Sequence, residues 1–435
     1  MKIILVLLDG LGDRSYKVLD NRTPLQAAYT PNLDRLAQLG SNGLFHASRP
    51  GRCLPSETAH YFLFGYDPEF FPGRGLLEAV GYDVAFRDED VLSLAHLSGV
   101  CREKNVPILT RGRKEISGDE SGLGNLYHAI RNYETGGVRF RLEKTRQNDA
   151  ILVMSGGVSP FISDSDPMVT GMPLARVLPL TENPEPAKAG RTALALNEYL
   201  SWCHRVLTDH EANRTRAAKG LPPANFLVTQ RSGRRIQPEP FEQKWGLPGM
   251  FIASGAIFKG LARELGLAFI QAKDSDDPGE DLRERIGIAL ADDTHGFIHV
   301  HTKVPDEAAH KGDPEGKAAA VTALDRGMAD LAEALESRDD LIVAVTADHS
   351  TPTVSALIHS GEPVPLTIAG PNVRRDGVKN FDEISAAPGC LGLLRGGELM
   401  LMLLNYADRS VLFGHRLGPA ERSSMPEKYE TFRLE

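Results

Sequence analysis

Among the metal-ligating and nucleophilic residues of the 435-residue chain, seven stand out: Asp9, Ser56, Asp306, His310, Asp348, His349 and His359. Carboxylate and imidazole donors with no thiolate suit Mn²⁺ or Zn²⁺, and suit Mg²⁺ less where histidine dominates. Asp306 and His310 are four residues apart, so a helix there sets both on one face. Ser56 lies in Pro55-Ser56-Glu57-Thr58-Ala59-His60, where a loop runs into a helix. Two readings of that serine stand side by side. It is an N-cap, bonding the first free amides of the helix. Or it is a nucleophile, with the helix N-terminus favouring an attached phosphate and a bound metal lowering the hydroxyl pKa. Taken singly, each aspartate reads as a cap or turn residue and each histidine as surface or core. Their joint placement at the ends of separate strands points to one centre.

The elements that must carry these residues are legible as hydrophobic pattern. IILVLLDG (3–10) is an unbroken apolar run ending in Asp-Gly, the signature of a buried parallel strand meeting a loop. Thr30-Pro31 opens a helical stripe of Leu33, Leu36 and Ala37, with Thr30 as expected N-cap and Pro31 in the first turn. FIHVHTKVPDEAAH (297–310), LIVAVTADHS (341–350) and PVPLTIAG (363–370) repeat the strand–loop pattern, and 316–337 reads as helix. Strands alternating with helices imply a mostly parallel α/β sheet, whose sites gather beyond the strand C-termini. From 83 to 240 the strand signals weaken and polar or Gly/Pro-rich stretches multiply. We expect a core domain of 1–82 and 241–435, interrupted by an inserted domain over 83–240.

Composition narrows the functional classes. Hydrophobic residues make up 41% and charged residues 25%, which excludes wholesale disorder. The formal charge of -9 argues against nucleic-acid binding through the global field, so an anionic substrate would need a local cluster of cations. Four scattered cysteines, in no CxxC pair, fit a reducing compartment rather than a disulfide framework. The N-terminal apolar run stops at Asp9, too early for a secretory segment, and no stretch is long enough to span a bilayer. The expectation is a soluble, cytoplasmic protein with no nucleic-acid or membrane partner.

Longer motifs carry a family resemblance. LDGLGDR (8–14), TPLQAAYTPNLDRLAQLG (23–40), PSETAHYFLFGYDPEFFPGRGLLEAVG (55–81), SDSDP (163–167), SGAIFKGLARELGL (254–267), PDEAAHKGDPEGK (305–317), TADHSTP (346–352) and HSGEPVPLTIAG (359–370) occur in this order. The chain resembles the archaeal-type cofactor-independent (2,3-bisphosphoglycerate-independent) phosphoglycerate mutases of the alkaline phosphatase superfamily. The resemblance implies an alkaline-phosphatase-like α/β fold: a mostly parallel sheet sandwiched by helices, with a smaller inserted α/β cap domain that binds substrate. It implies two divalent metal ions, Mn²⁺ first with Zn²⁺ or Mg²⁺ as alternatives. Asp306, His310 and His359 would hold one, and Asp9, Ser56, Asp348 and His349 the other. Ser56 would become a phosphoserine during interconversion of 2- and 3-phosphoglycerate. Lys259 and Asp164 would be further catalytic groups, Lys259 near the phosphate. Asp166, Arg87, Arg111, Arg113, Arg231 and Arg234 would be contacts to a small phosphorylated carboxylic acid.

Four departures from the family pattern fall in the inserted domain. Met168 stands where the family usually carries a histidine, and Gln230 where it usually has an arginine. The Arg-rich stretch is reduced to Thr110-Arg111-Gly112-Arg113, and Asp88-Glu89 replaces a Cys-Asn pair. Methionine cannot transfer a proton, and glutamine cannot make a guanidinium fork. Three readings are therefore carried: a phosphoglycerate mutase; a paralogue using the same chemistry on another small phosphorylated or phosphonylated acid, either a phosphonate-pathway transferase or a phosphatase; and a non-catalytic binding protein.

Overall fold

The computed structural model describes residues 1–419, 422–425 and 429–434. It divides into two compact units, Met1–Phe71 with Pro238–Glu435, and Pro72–Gln237. The first boundary, 71/72, lies about three helical turns earlier than the expected 82/83, because helix Arg74–Gly81 packs on strand Val91–Glu103 of the second unit through Leu76, Ala79 and Val80.

The first unit is built on an eight-stranded sheet. Its order is Ala268–Gln271, Gly249–Ala253, Phe297–Thr302, Lys2–Leu8, Leu341–Thr346, Val364–Ala369, Gly40–His46, Gly392–Arg395. Every pairing is parallel except the two made by Val364–Ala369. The central strands are buried along their whole length, the pattern expected where both faces are covered. Helices Pro31–Leu39, Pro278–Ala291, Pro314–Gly327 and Ala329–Ser337 pack together as one layer. Ser56–Leu63, Ala256–Glu264 and Glu398–Tyr406 form a second group. Two local expectations change. The helix expected over 316–337 breaks at Met328 into two, and Thr30 takes the N-cap position without a side-chain capping bond.

Register explains why the chemistry gathers at one edge. Lys2–Leu8 lies between Phe297–Thr302 and Leu341–Thr346, with Leu8 opposite Thr302 and Leu7 opposite Thr346. All three strands run the same way, so Asp9, the Lys303–His310 segment and Asp348-His349 leave the sheet together. Val364–Ala369 runs the other way, so the loop preceding it, with His359, arrives at that edge.

The second unit holds a six-stranded sheet whose pairings are all antiparallel. The 23-residue helix Pro186–Thr208 covers one face through Ala193, Leu196, Tyr199, Leu200 and Cys203. Tyr199 stacks on Phe140 with ring centroids 4.7 Å apart, and Tyr133 stacks on Trp202 at the same separation. No helix among the described residues is long and apolar enough to cross a membrane.

Candidate active site

Ser56 is the first residue of helix Ser56–Leu63, and Pro55 occupies the N-cap. Its hydroxyl does not turn back to the helix amides. It lies 3.3 Å from Asp9 Oδ1 and 3.1 Å from His349 Nε2. His349 Nε2 is in turn 3.5 Å from Asp9 Oδ1 and 3.3 Å from Asp348 Oδ2. Asp348 Oδ1 is saturated by the amides of Gly10 and His349, at 3.1 and 3.0 Å, so the carboxylate is fixed with Oδ2 facing the group. That Oδ2 is buried and has no hydrogen-bond partner among the described residues. An orphaned buried carboxylate oxygen is costly in water-free surroundings, and a cation beside it removes the cost. This donor set fits a divalent metal.

A second group adjoins it. Asp306 sits on the short helix Val304–Ala309, which His310 ends. Asp306 Oδ1 is 3.3 Å from His310 Nε2 and 3.5 Å from His359 Nε2. His359 Nδ1 meets the carbonyl of Leu54 at 2.7 Å, which assigns a proton to Nδ1 and turns Nε2 toward Asp306. Thr351 Oγ1 donates to Asp306 Oδ1 at 2.8 Å and lies 3.2 Å from His349 Nδ1, tying the two groups together. Asp306, His310 and His359, and likewise Asp9, Asp306 and His349, each bring ligand atoms within 4.8 Å of one another. Gly10 is required for this crowding: at φ +67° it has no side chain, and a Cβ there would come within 2.7 Å of Asp306 Cβ.

The electrostatics show strain that cations would relieve. Burial, reinforced by the charge of Asp9, pushes the Asp348 carboxyl well above its usual range. Burial acts the same way on Asp9, but Lys303 and the His301 hydrogen bond outweigh it and hold Asp9 low. Burial also pulls the His349 imidazole down to about 3, so the ring is neutral, the form that ligates metal.

Several supporting residues escaped the sequence reading. Lys303 Nζ lies 3.1 Å from Asp306 Oδ2 and 3.6 Å from Asp9 Oδ2, bridging the carboxylates of both groups. His301 Nε2 meets Asp9 Oδ2 at 3.1 Å, and His60 Nδ1 meets the Ser56 carbonyl at 2.8 Å. Signals existed for the histidines. His60 is one helical turn from Ser56, and His299 and His301 alternate onto one face of their strand. Lys317 is fully buried and donates to the carbonyls of Gly10, Gly12 and Thr351 and to Asp13 Oδ2, at 3.0–3.1 Å.

The remaining candidates fall into two sets. Lys259 lies on helix Ala256–Glu264 of the first unit. The others belong to the second unit. Asp164 Oδ1 accepts from the Arg231 amide at 2.7 Å, and burial pushes its carboxyl upward. Asp166 is engaged by the Gln230 amide, by the Met168 backbone N–H at 2.8 Å and by His96 Nε2 at 3.4 Å. His96, on strand Val91–Glu103, thus places an imidazole beside Asp166, while Met168 at φ +61° is half exposed. Burial pulls the His96 ring down to about 4. Arg113 forms a two-pronged ion pair with Asp149, and Arg234 bonds Glu185 through both terminal nitrogens at 3.2 Å, so both forks are already engaged. Arg111 lies 3.9 Å from Glu115. Arg87 is exposed.

A family model described as the Metalloenzyme superfamily matches residues 1–406, which accounts for divalent metal use and for acidic and imidazole donors crowded at one sheet edge. Among the relatives is 2,3-bisphosphoglycerate-independent phosphoglycerate mutase 2 of Methanocaldococcus jannaschii, 41% identical over 443 residues and covering 100% of both chains. The 2,3-bisphosphoglycerate-independent phosphoglycerate mutase of Methanopyrus kandleri is 39% identical, over 95% of this chain and 98% of that one. The solved structure of the cofactor-independent phosphoglycerate mutase from Thermoplasma acidophilum DSM 1728 matches with a TM-score of 0.62 at 31% identity, over 94% of this chain and 100% of that chain. The chain therefore belongs to the Metalloenzyme superfamily and, within it, to the archaeal-type cofactor-independent phosphoglycerate mutases.

Proposed function

We propose that this protein interconverts 2-phosphoglycerate and 3-phosphoglycerate by metal-dependent phosphoryl transfer through Ser56. The observation that carries the reading is the Ser56 hydroxyl at a helix N-terminus, 3.3 Å from Asp9 Oδ1 and 3.1 Å from His349 Nε2. Two divalent ions, Mn²⁺ by preference, would be held by Asp306, His310 and His359 and by Asp9, Ser56, Asp348 and His349, where they would lower the hydroxyl pKa and neutralise charge on the transferring phosphoryl oxygens. Ser56 Oγ bonds to phosphorus as the bond from phosphorus to the substrate oxygen breaks. That oxygen leaves with the electron pair and takes up a proton. Asp164, whose carboxyl burial favours the protonated form, is the candidate donor. Attack by the neighbouring hydroxyl of the glycerate on the phosphoserine, its proton returning to Asp164 as the bond from phosphorus to Ser56 Oγ breaks, then releases the isomer and restores Ser56, which recovers the proton it gave up in the first step. We assign Lys259 to the phosphate, and Asp166, Arg111 and Arg231 to the carboxylate and hydroxyls. Water must be kept from the phosphoserine, because its attack would yield free phosphate. A cytoplasmic setting belongs to the same reading.

A second reading, a paralogue acting on another small phosphorylated or phosphonylated acid, is favoured by one observation. Arg113 and Arg234 are engaged by Asp149 and Glu185, and Gln230 takes a place the family usually gives to arginine. Mn²⁺-reconstituted protein supplied with 3-phosphoglycerate separates these readings, with 2-phosphoglycerate and free phosphate followed together. The mutase reading expects rapid 2-phosphoglycerate formation and a mass increase of one phosphoryl group on the Ser56 peptide after quenching. Ser56→Ala removes both while keeping the fold. Near-wild-type turnover by Ser56→Ala refutes the nucleophile. No reaction with metal bound selects the paralogue.

A further inference from the structure

The second unit carries a cavity of about 690 Å³ whose lining includes Arg87, Arg139 and Arg141 but neither Asp164 nor Asp166. Strand pairing shows how it is made. Glu134, Arg139 and Ser155 stand side by side across three strands, as do Asn132, Arg141 and Val153. Phe140, between the two arginines, points into the opposite core, so Arg139 and Arg141 share the other face. Val153 on that face packs with helix Arg74–Gly81, and the segment after the helix, with Phe86 and Arg87, forms the rim.

This rim is held in place. Arg141 bonds the Ala85 carbonyl and Glu143, and Arg235 lies over the Phe86 ring at 4.7 Å while pairing with Asp88 at 2.9 Å. Glu143 is occupied by Arg131 as well, at 2.8 Å. Among the described residues, by contrast, no hydrogen bond or ion pair engages the side chains of Arg87, Arg139, Asn132 or Ser155. Two uncommitted guanidinium groups, an amide and a hydroxyl therefore face one groove. Of the acids in its lining, Asp90 accepts from the Arg87 backbone amide at 2.9 Å, and Glu134 stands beside Arg139. Two guanidinium forks with an amide and a hydroxyl beside them are donor chemistry suited to an anion.

We propose that this groove is an anion site for a small phosphomonoester, distinct from the residues assigned to phosphoryl transfer. Arg139 is its central ligand, Arg87 closes over the same oxygens, and Asn132 and Ser155 complete the donor set. Arg87, a substrate contact by family resemblance, belongs to this groove instead.

Calorimetric titration of the Mn²⁺-loaded enzyme with inorganic phosphate, and separately with 3-phosphoglycerate, tests the proposal. The wild type is expected to show one binding step more than Arg139→Ala, or that step weakened roughly tenfold or more in the variant. Arg139→Glu is expected to abolish it. The step at the transfer centre should persist in both variants, and turnover without added phosphate should be unchanged. Isotherms of Arg139→Glu that superimpose on the wild type overturn the proposal. So does loss of every binding step in either variant, since the groove and the transfer centre would then not be separate. Because the readout is binding, it stands whichever reaction the transfer centre catalyses.

Discussion

Replacing Lys317 with methionine keeps the side-chain length and removes one buried ammonium. Its four acceptors are the carbonyls of Gly10, Gly12 and Thr351 and one oxygen of Asp13, all within 3.1 Å. Neither Lys317 nor the Asp13 side chain is exposed. Deleting one member of such a buried pair strands the other, at about 3–5 kcal/mol. Asp13 retains donors from Tyr16 Oη at 2.6 Å and the Thr353 amide at 3.2 Å, which places the loss at the lower end, about 3 kcal/mol. For a unit of this size that is roughly 6–12 °C in Tm. The effect should reach the metal groups, because the carbonyls released belong to the segments that carry Asp9 and Thr351. Thermal unfolding by circular dichroism and Mn²⁺ titration would be measured together. Lys317→Met is expected to lose stability and to bind Mn²⁺ severalfold more weakly. Asp13→Asn added to Lys317→Met is expected to recover part of the stability, since the stranded charge is gone. A Tm within about 2 °C of the wild type, or a double variant no better than the single, refutes the reasoning.

Two further outcomes follow from the same electrostatics. Burial pushes the Glu383 carboxyl up to about 7 from 4.5, with Thr23 Oγ1 and the Asp13 amide as its donors at 2.8 and 3.1 Å. A carboxyl whose folded pKa is raised contributes stability that is complete below about 4.5 and is lost as pH climbs through 7. Glu383→Gln should therefore flatten the fall in unfolding free energy between pH 4 and 8 by on the order of 2–3 kcal/mol, and parallel denaturant curves for the two proteins would contradict this. Saturating Mn²⁺ should raise Tm over the chelator-treated protein by roughly 5–10 °C at a hundredfold excess over Kd, with a smaller rise in His310→Ala; a metal-insensitive Tm would remove the metal-site assignment.

Much of this molecule was legible one segment at a time. IILVLLDG and LIVAVTADHS announced buried strands ending in acids because apolar runs of that length, stopped by charge, have few other homes. The four-residue spacing of Asp306 and His310 needed only a turn of helix to bring them together, and Val304–Ala309 supplies it. The Ser56 ambiguity was real at the local level: a serine before Glu-Thr-Ala has the right chemistry for a cap. The structure removes the cap reading, since Pro55 holds the N-cap and the Ser56 hydroxyl lies by Asp9 and His349, which are 47 and 293 residues away.

In the first unit, local pattern carried the buried strands, where they end and which residue types stand there, because periodicity acts over one or two turns; it did not carry the break at Met328 or the strands of the second unit. The tertiary structure alone decided which strands are neighbours. Placing Lys2–Leu8 between Phe297–Thr302 and Leu341–Thr346 is a pairing over hundreds of residues, and nothing local encodes it. The same holds for Lys303 across two carboxylates, for His301 behind Asp9 and for His96 beside Asp166. A histidine or lysine at a strand end reads as core or surface until its partner is known. That partner is fixed by long-range packing, where hydrophobic burial sets the register and the charged groups must then satisfy one another in what space remains.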